Sequence, residues 1–190
     1  MTHGTYYIGM ILQREFYMGD GIDTARAILG KTLCRRMDDG TVIRARIVET
    51  ELYHECERGC HAYGGRKTPR NAAMFLSGGH AYVYFTYGMH NMLNIIIGPA
   101  GCGVGVLIRA VEMDGGNGPA RLTKRMNITR DINGIDMCTA DAALWLEDAP
   151  AISPRKIKVG PRIGIDSAGV DAKRPWRFAI RDSKYLSRPI

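Results

Sequence analysis

The stretch Arg44-Ala45-Arg46-Ile47-Val48-Glu49-Thr50-Glu51-Leu52-Tyr53 decides how this chain folds. β-Branched and apolar residues fill its middle and neither Gly nor Pro interrupts it, which predicts a β-strand. Side chains alternate across a strand, so Val48, Thr50 and Leu52 share one face and Ile47, Glu49, Glu51 and Tyr53 the other, with roughly 6–7 Å between successive members of a face. Two carboxylates and a phenol thus line one surface. A wholly buried strand is not expected to carry two ionised groups, because an unpaired buried charge is too unfavourable. The expectation is therefore that this face meets water or lines a polar cleft, and the Cys- and His-bearing loop directly after it favours the cleft.

Working outward, residues 31–37 read as a strand that the tight turn Asp38-Asp39-Gly40 folds back into the central stretch as a hairpin. Before it, residues 23–30 predict a short amphipathic helix with Asp23 as N-cap and Gly30 as stop. After Tyr53 an irregular segment runs to Asn71, broken by Gly59, Gly64-Gly65 and Pro69. Residues 72–76 suit a short strand or turn. Residues 81–87 and 92–97 suit two strands split around Gly88, and residues 103–113 another. Residues 118–126 and 140–147 predict helices, and the remainder, through residues 176–180, predicts one or two more strands. Many strands with few helices between them imply an α+β fold, a single mixed domain over residues 1–190 built on a largely antiparallel sheet with surrounding helices, with residues 1–13 as a loosely held arm.

At 190 residues the chain is long enough for a full core, and no run of 18 or more apolar residues predicts a membrane span. The start lacks a charged segment followed by an apolar one, so an intracellular protein is expected. Five cysteines without framework-like spacing are read as reduced thiols. The net charge of +7 suits a polyanionic partner such as nucleic acid, or simply a basic soluble enzyme. Cations concentrate in residues 121–130, 155–162 and 173–188, carboxylates in 49–57 and 131–148.

Several constellations could carry chemistry. In Tyr82-Val83-Tyr84-Phe85-Thr86-Tyr87-Gly88-Met89, alternation places Tyr82, Tyr84 and Thr86 on one face, while Gly88 turns Tyr87 and Met89 outward at a tip. Aromatics beside a basic field serve base stacking or a wedge between base pairs, although core packing is the default for Tyr82 and Phe85. His54, Cys56, Cys60 and His61 invite a zinc reading, but structural zinc takes a ligand pair from each of two segments and no second pair is present, so no metal is expected. Gly101-Cys102-Gly103-Val104-Gly105 has the wrong glycine spacing for a dinucleotide site and precedes a strand. The loop Gly64-Gly65-Arg66-Lys67-Thr68-Pro69-Arg70-Asn71 offers cations, a hydroxyl and an amide to phosphates. Arg109, in an otherwise apolar strand, calls for a partner, for which Glu49 or Glu51 is the structural choice, and Asn94 between Leu93 and Ile95 must bond to backbone or ligand.

Taken in order, these segments resemble the 3-methyladenine (alkyladenine, methylpurine) DNA glycosylase family. The resemblance rests on Arg46 to Tyr53, His61, Gly64 to Asn71 with Met74-Phe75, Tyr82-Val83-Tyr84, Tyr87-Gly88-Met89, Asn94, Val106 to Ala110, Gly118-Pro119, Arg162-Ile163-Gly164-Ile165 and Pro175-Trp176-Arg177-Phe178, and it covers about residues 14–188. It implies a base-excision repair enzyme that flips an alkylated or deaminated purine from double-stranded DNA and hydrolyses its N-glycosidic bond without cutting the strand, acting as a monomer, without cofactor, in the cytoplasm or nucleoid of a prokaryote or the nucleus of a eukaryote. It further implies Glu51 as general base, Arg109 as its partner in holding the water, Tyr53 and Tyr84 as the sandwich, His61 beside the base and Asn94 at its edge. A protruding β-hairpin would enter DNA with Tyr87 as wedge and Met89 in the groove, and Arg66, Lys67, Arg70, Arg121 and Lys124 would meet phosphates. Two departures stand out: Ala120-Arg121 where the family commonly has Gly and Lys, and a loop over residues 54–60 unlike the family's. The rival reading is a non-catalytic module that binds or bends DNA, against which an acidic residue in a phosphate-contacting cleft argues.

Overall fold

A computed structural model describes residues 9–190. Its framework is an antiparallel sheet of eight strands: β1 (Thr32–Arg36), β2 (Val42–His54), β3 (Ala81–Thr86), β4 (His90–Ile96), β5 (Val104–Val111), β6 (Leu144–Glu147), β7 (Ile157–Gly160) and β8 (Arg177–Ile180). The order is β3-β4-β5-β2-β1-β6, with β8 joining β2 and β7. Two short helices, α1 (Gly21–Ala27) and α2 (Pro119–Arg125), pack on it, α1 against β2 and α2 against β4 and β5. The α+β expectation holds. Among the described residues no helix is long and apolar enough to cross a membrane.

The central stretch is the hub. The first half of β2 pairs with β1 through the expected hairpin, Thr32 opposite Arg46 and Arg36 opposite Val42. Its second half is clasped on both edges, by β5 from Ile47 to His54 and by β8 from Glu49 to Glu51. Against β5 the register slips twice, leaving Val48 on β2 and Arg109 on β5 without an opposite residue. Such bulges re-aim side chains. Here the slip interrupts the strict alternation read from sequence: Ile47 joins Val48 and Leu52 in the apolar core instead of standing with the carboxylates. The same irregularity sets Arg109 between Glu49 and Glu51.

The core fills with Leu29, Leu33, Leu93, Ile95, Val106, Ile108, Leu122 and Phe178, all fully buried. Thr50 turns from the carboxylates toward α1 and donates its hydroxyl to the Ala25 carbonyl at 3.0 Å. β3 and β4 pair antiparallel from Ala81–Ile95 to Thr86–His90 through the turn Tyr87-Gly88-Met89. Tyr87 (φ 52°) and Gly88 (φ 67°) both take the left-handed conformation there, which is unusual for the bulky Tyr87.

Several expectations need correction. The α1 N-cap is Asp20, whose carboxylate accepts from the backbone of Ile22 and Asp23, and Asp23 sits in the first turn. Residues 72–75 form a 3-10 helix, not a strand. The predicted helix over 140–147 is instead an irregular lead-in to β6, which pairs with the edge of β1. Leu144, Trp145, Leu146 and Glu147 are all buried, and apolar periodicity alone does not tell such a short buried strand from a helical run. Of the expected N-terminal arm, residues 1–8 lie outside the described residues, while residues 10–12 run along β6, Leu12 donating to the Leu146 carbonyl at 2.9 Å and Met10 accepting from Asp148 at 2.8 Å.

Gly103, at the entry to β5, is pressed against the 54–65 loop: its N–H donates to Glu55 Oε2 at 2.7 Å, and a Cβ there would overlap the Ala62 side chain. Gly103→Ala is expected to cost about 1–3 kcal/mol through overpacking. Urea unfolding reads this as a lower midpoint at unchanged slope, and an unchanged midpoint would mean that the loop does not bear on β5.

Candidate active site

A pocket of about 290 Å³ opens where β2, β3, β4 and β5 meet the 163–165 segment. The volume lies near the lower end of the roughly 300–1,000 Å³ typical of small-molecule sites. Its walls include Tyr53 from β2, His61 from the following loop, Tyr82, Tyr84 and Thr86 from one face of β3, Asn94 from β4 and Arg109 from β5. The structure therefore brings together the residues that the sequence singled out from five separate segments. Tyr87, 77% exposed at the β3–β4 turn, also reaches the pocket edge, and Met89, 70% exposed, stands beside it on the same turn.

Beneath the pocket lies a layer of charge. Glu49 and Glu51 are both fully buried, so their face neither meets water nor opens directly into a cleft, as the sequence suggested. Each is paired instead. Arg109 Nη1 donates to Glu51 Oε2 and Arg109 Nε to Glu49 Oε1, both at 3.2 Å. Arg177, from β8, donates to Glu49 Oε1 at 2.7 Å. Glu51 also accepts from the Tyr53 hydroxyl on Oε2 at 2.9 Å and from the Ile163 backbone N–H on Oε1 at 2.8 Å. Burial nonetheless pushes its carboxyl above the ordinary value of 4.5, opposed by the Arg109 charge and by these donors.

The aromatic walls are locked from behind. The Arg162 guanidinium lies 4.7 Å from the Tyr53 ring centre and 5.2 Å from that of Trp176. It is itself wholly buried in a fork with Glu57, at 2.6 and 2.8 Å, and donates to the carbonyls of Leu52 and Asp171. Glu57 belongs to the loop directly after β2, so that loop supplies the counter-charge behind one wall of the pocket. On the other side, the His61 and Tyr84 rings stand edge to face at 4.6 Å, and His61 Nδ1 is 2.9 Å from the Tyr82 hydroxyl. Burial and then the Arg70 charge lower the His61 pKa, which keeps the imidazole neutral at neutral pH. Burial raises the Tyr84 phenol to about 12. Asn94 Nδ2 donates to the Tyr82 carbonyl at 3.4 Å and the side chain faces the pocket.

The basic loop borders this site. Asn71 is its clasp: its amide donates to the carbonyls of His61 and Arg66, and its Oδ1 accepts from the Thr68 N–H at 2.7 Å. Arg66, Lys67 and Arg70 are left exposed, Arg66 and Arg70 at a second hollow of about 190 Å³ that shares His61 and Tyr82 with the first. Arg121 and Lys124 are exposed on α2, whose first residue, Pro119, also lines the pocket. His54, Cys56, Cys60 and His61 do not converge: His54 accepts from the Cys56 N–H, Cys56 is exposed, and buried Cys60 contacts the Gly103 carbonyl. Among the described residues no group of three or more His, Cys, Asp or Glu side chains is placed to hold a metal ion. Sequence reasoning assigned no role to Arg162, Glu57, Arg177 or the Ile163 N–H. A clue was present in Arg162 and Arg177, each set among apolar neighbours like Arg109.

The chain is similar to known proteins over most of its length. A model of the family described as "Methylpurine-DNA glycosylase" matches residues 15–184. A protein of Methanocella arvoryzae is 44% identical, with 94% of this chain and 96% of that protein covered. One from Anaeromyxobacter dehalogenans is 45% identical over 95% of this chain and 88% of its own, and one from Carboxydothermus hydrogenoformans is 40% identical over 94% and 100%. All three carry the name "Putative 3-methyladenine DNA glycosylase".

The Glu57–Arg162 pair yields a stability prediction. Removing one partner of a buried pair strands the other charge and costs about 3–5 kcal/mol, whereas replacing both with uncharged groups is far milder. Arg162→Met should therefore lower the urea midpoint sharply, and Glu57→Gln added to it should recover much of the loss. Equal loss in the single and double variants would show that packing on Tyr53 and Trp176 dominates.

Proposed function

The chain belongs to the methylpurine-DNA glycosylase family, enzymes of DNA repair, and we propose that it releases alkylated or deaminated purines from duplex DNA by hydrolysing the N-glycosidic bond, with Glu51 as general base. The observation that carries this reading is Arg109, which lines an aromatic pocket and pairs with Glu51 buried directly behind it. A carboxylate presents about four lone-pair sites. Three are taken in Glu51, two on Oε2 by Tyr53 and Arg109 and one on Oε1 by Ile163. The free site on Oε1 is where a water would be held. Water adds its oxygen to the sugar C1′, Glu51 takes its proton, and the base leaves with the electrons of the glycosidic bond. In its ionised form, a carboxylate raised above its ordinary value is a better proton acceptor.

The walls suit the substrate class. Unpaired bases stack on aromatic faces for about 1–3 kcal/mol each, and an electron-poor or cationic methylated purine gains further from the ring faces. Tyr53 and Tyr84 would sandwich the flipped base, with His61 beside it and Asn94 at its edge, excluding the exocyclic amine of guanine. Flipping costs a few kcal/mol, least for a damaged or mismatched pair. Tyr87 as wedge and Met89 in the groove would offset part of that cost. Arg66, Lys67, Arg70, Arg121 and Lys124 would hold phosphates on either side, positioning the duplex without reading its sequence. A strand-nicking reaction needs an amine nucleophile at the sugar, and among the described residues no Lys lines the pocket, which supports simple hydrolysis.

The test uses a duplex with one hypoxanthine alongside alkylated DNA that releases 3-methyladenine, incubated with wild type and with Glu51→Gln and then treated with alkali. Wild type should give cleavage that depends on alkali, and the variant should lose it while still binding. Binding by both proteins with no purine released would replace catalysis with the DNA-bending module. Release of the cationic base alone would confine the enzyme to bases that already leave easily.

A further inference from the structure

The C-terminal tail passes directly under the charge layer, beyond the residues matched by the family model, which end at 184. The Ser187 N–H donates to Glu49 Oε2 at 2.6 Å, and its hydroxyl donates to Glu49 Oε1 at 2.8 Å. The same hydroxyl accepts from Arg109 Nε at 3.3 Å and from Arg109 Nη2 at 3.2 Å. A serine hydroxyl has one proton and two lone pairs, so these contacts use its full capacity. The tail around it is pinned by Arg177, which donates to the carbonyls of Arg188 and Pro189, and by Lys158, which donates to the Ile190 carbonyl at 3.1 Å.

The guanidinium is a rigid planar fork, so fixing one edge fixes the direction of the remaining nitrogen. In Arg109 the Nε–Nη2 edge rests on Ser187 and Glu49, and Nη1 is thereby aimed at Glu51. Without the hydroxyl, Nη2 would lose the contact on that edge and the fork could turn away from Glu51. We propose that Ser187 is a positioning residue for the glycosylase reaction: its hydroxyl orients Arg109 toward Glu51, so that the last residues of the chain help build the catalytic floor. The proposal rests on the reading of Glu51 as general base.

The experiment is single-turnover release of hypoxanthine from duplex DNA with enzyme at saturating excess, for wild type, Ser187→Ala and Ser187→Thr, followed through the acid range. Under these conditions the rate constant reports bound, folded protein, so a partly unfolded preparation does not imitate a slow one. Hydrogen bonds to charged groups are the strong ones, and Ser187→Ala is expected to slow the chemical step by about 10-fold or more. The enzyme concentration for half-saturation should stay the same. The acid limb should move to higher pH, because the Arg109 charge that lowers the Glu51 pKa is held less well, and Ser187→Thr should restore both rate and limb. A Ser187→Ala enzyme with the wild-type rate and acid limb, whatever its melting temperature, would reduce the tail to a strap. A change confined to half-saturation would make it a DNA contact instead. Both results overturn the proposal while leaving the glycosylase reading intact, whereas a wild type that releases no purine removes that reading first.

Discussion

Everything in this structure is arranged around two carboxylates buried in the middle of a strand. An ion moved from water into a protein interior loses several kcal/mol of solvation, and only close partners with good geometry return it. Glu49 and Glu51 find theirs on both flanks of β2: Arg109 comes from β5 and Arg177 from β8, and the backbone of Ile163 and Ser187 supplies further donors. The double slip in register between β2 and β5 is what lets one guanidinium reach both acids. The sheet, the bulge and the tail are therefore parts of one electrostatic solution.

That solution is incomplete by design at Glu51. Burial outweighs its donors, so its carboxyl is raised in the folded protein. Between its ordinary value and the raised one, the folded state binds more protons than the unfolded chain, and stability falls as pH rises through that window. An ionised Glu51 is thus a local loss of stability kept in reserve for chemistry. The surrounding groups show why the loss is tolerated. Arg162 and Glu57 form a closed pair behind Tyr53, and His61, Tyr82 and Tyr84 brace one another, so the pocket walls have supports besides their bonds to Glu51.

The hairpin between β1 and β2, the β3 and β4 strands with their tight turn, and the face shared by Tyr82, Tyr84 and Thr86 were all legible from alternation and turn residues. The candidate site was legible in part, since Tyr53, His61, Tyr84, Asn94 and Arg109 were named from the chain and converge in one pocket. What local reading missed were relations at long range. Glu49 and Glu51 looked too charged to be buried because their arginines lie 58 to 128 residues away, and Ser187 lies 138 residues from Glu49. β6 is not legible as a strand because its partner, β1, lies more than a hundred residues back and the buried tetrapeptide carries no period of its own. The Asp20 cap was missed for a smaller reason: Asp20 and Asp23 are both good caps, and the choice depends on where the first turn meets β2.

Burial raises the Glu51 carboxyl above its ordinary value, and the Arg109 charge opposes that shift. The direct measurement is a 13C NMR titration of glutamate carboxyl carbons, with the Glu51 signal assigned by its loss in Glu51→Gln. One titration step above the ordinary 4.5 is expected, displaced further upward when Arg109 is replaced by Gln. A Glu51 that titrates at or below 4.5 would overturn this reading.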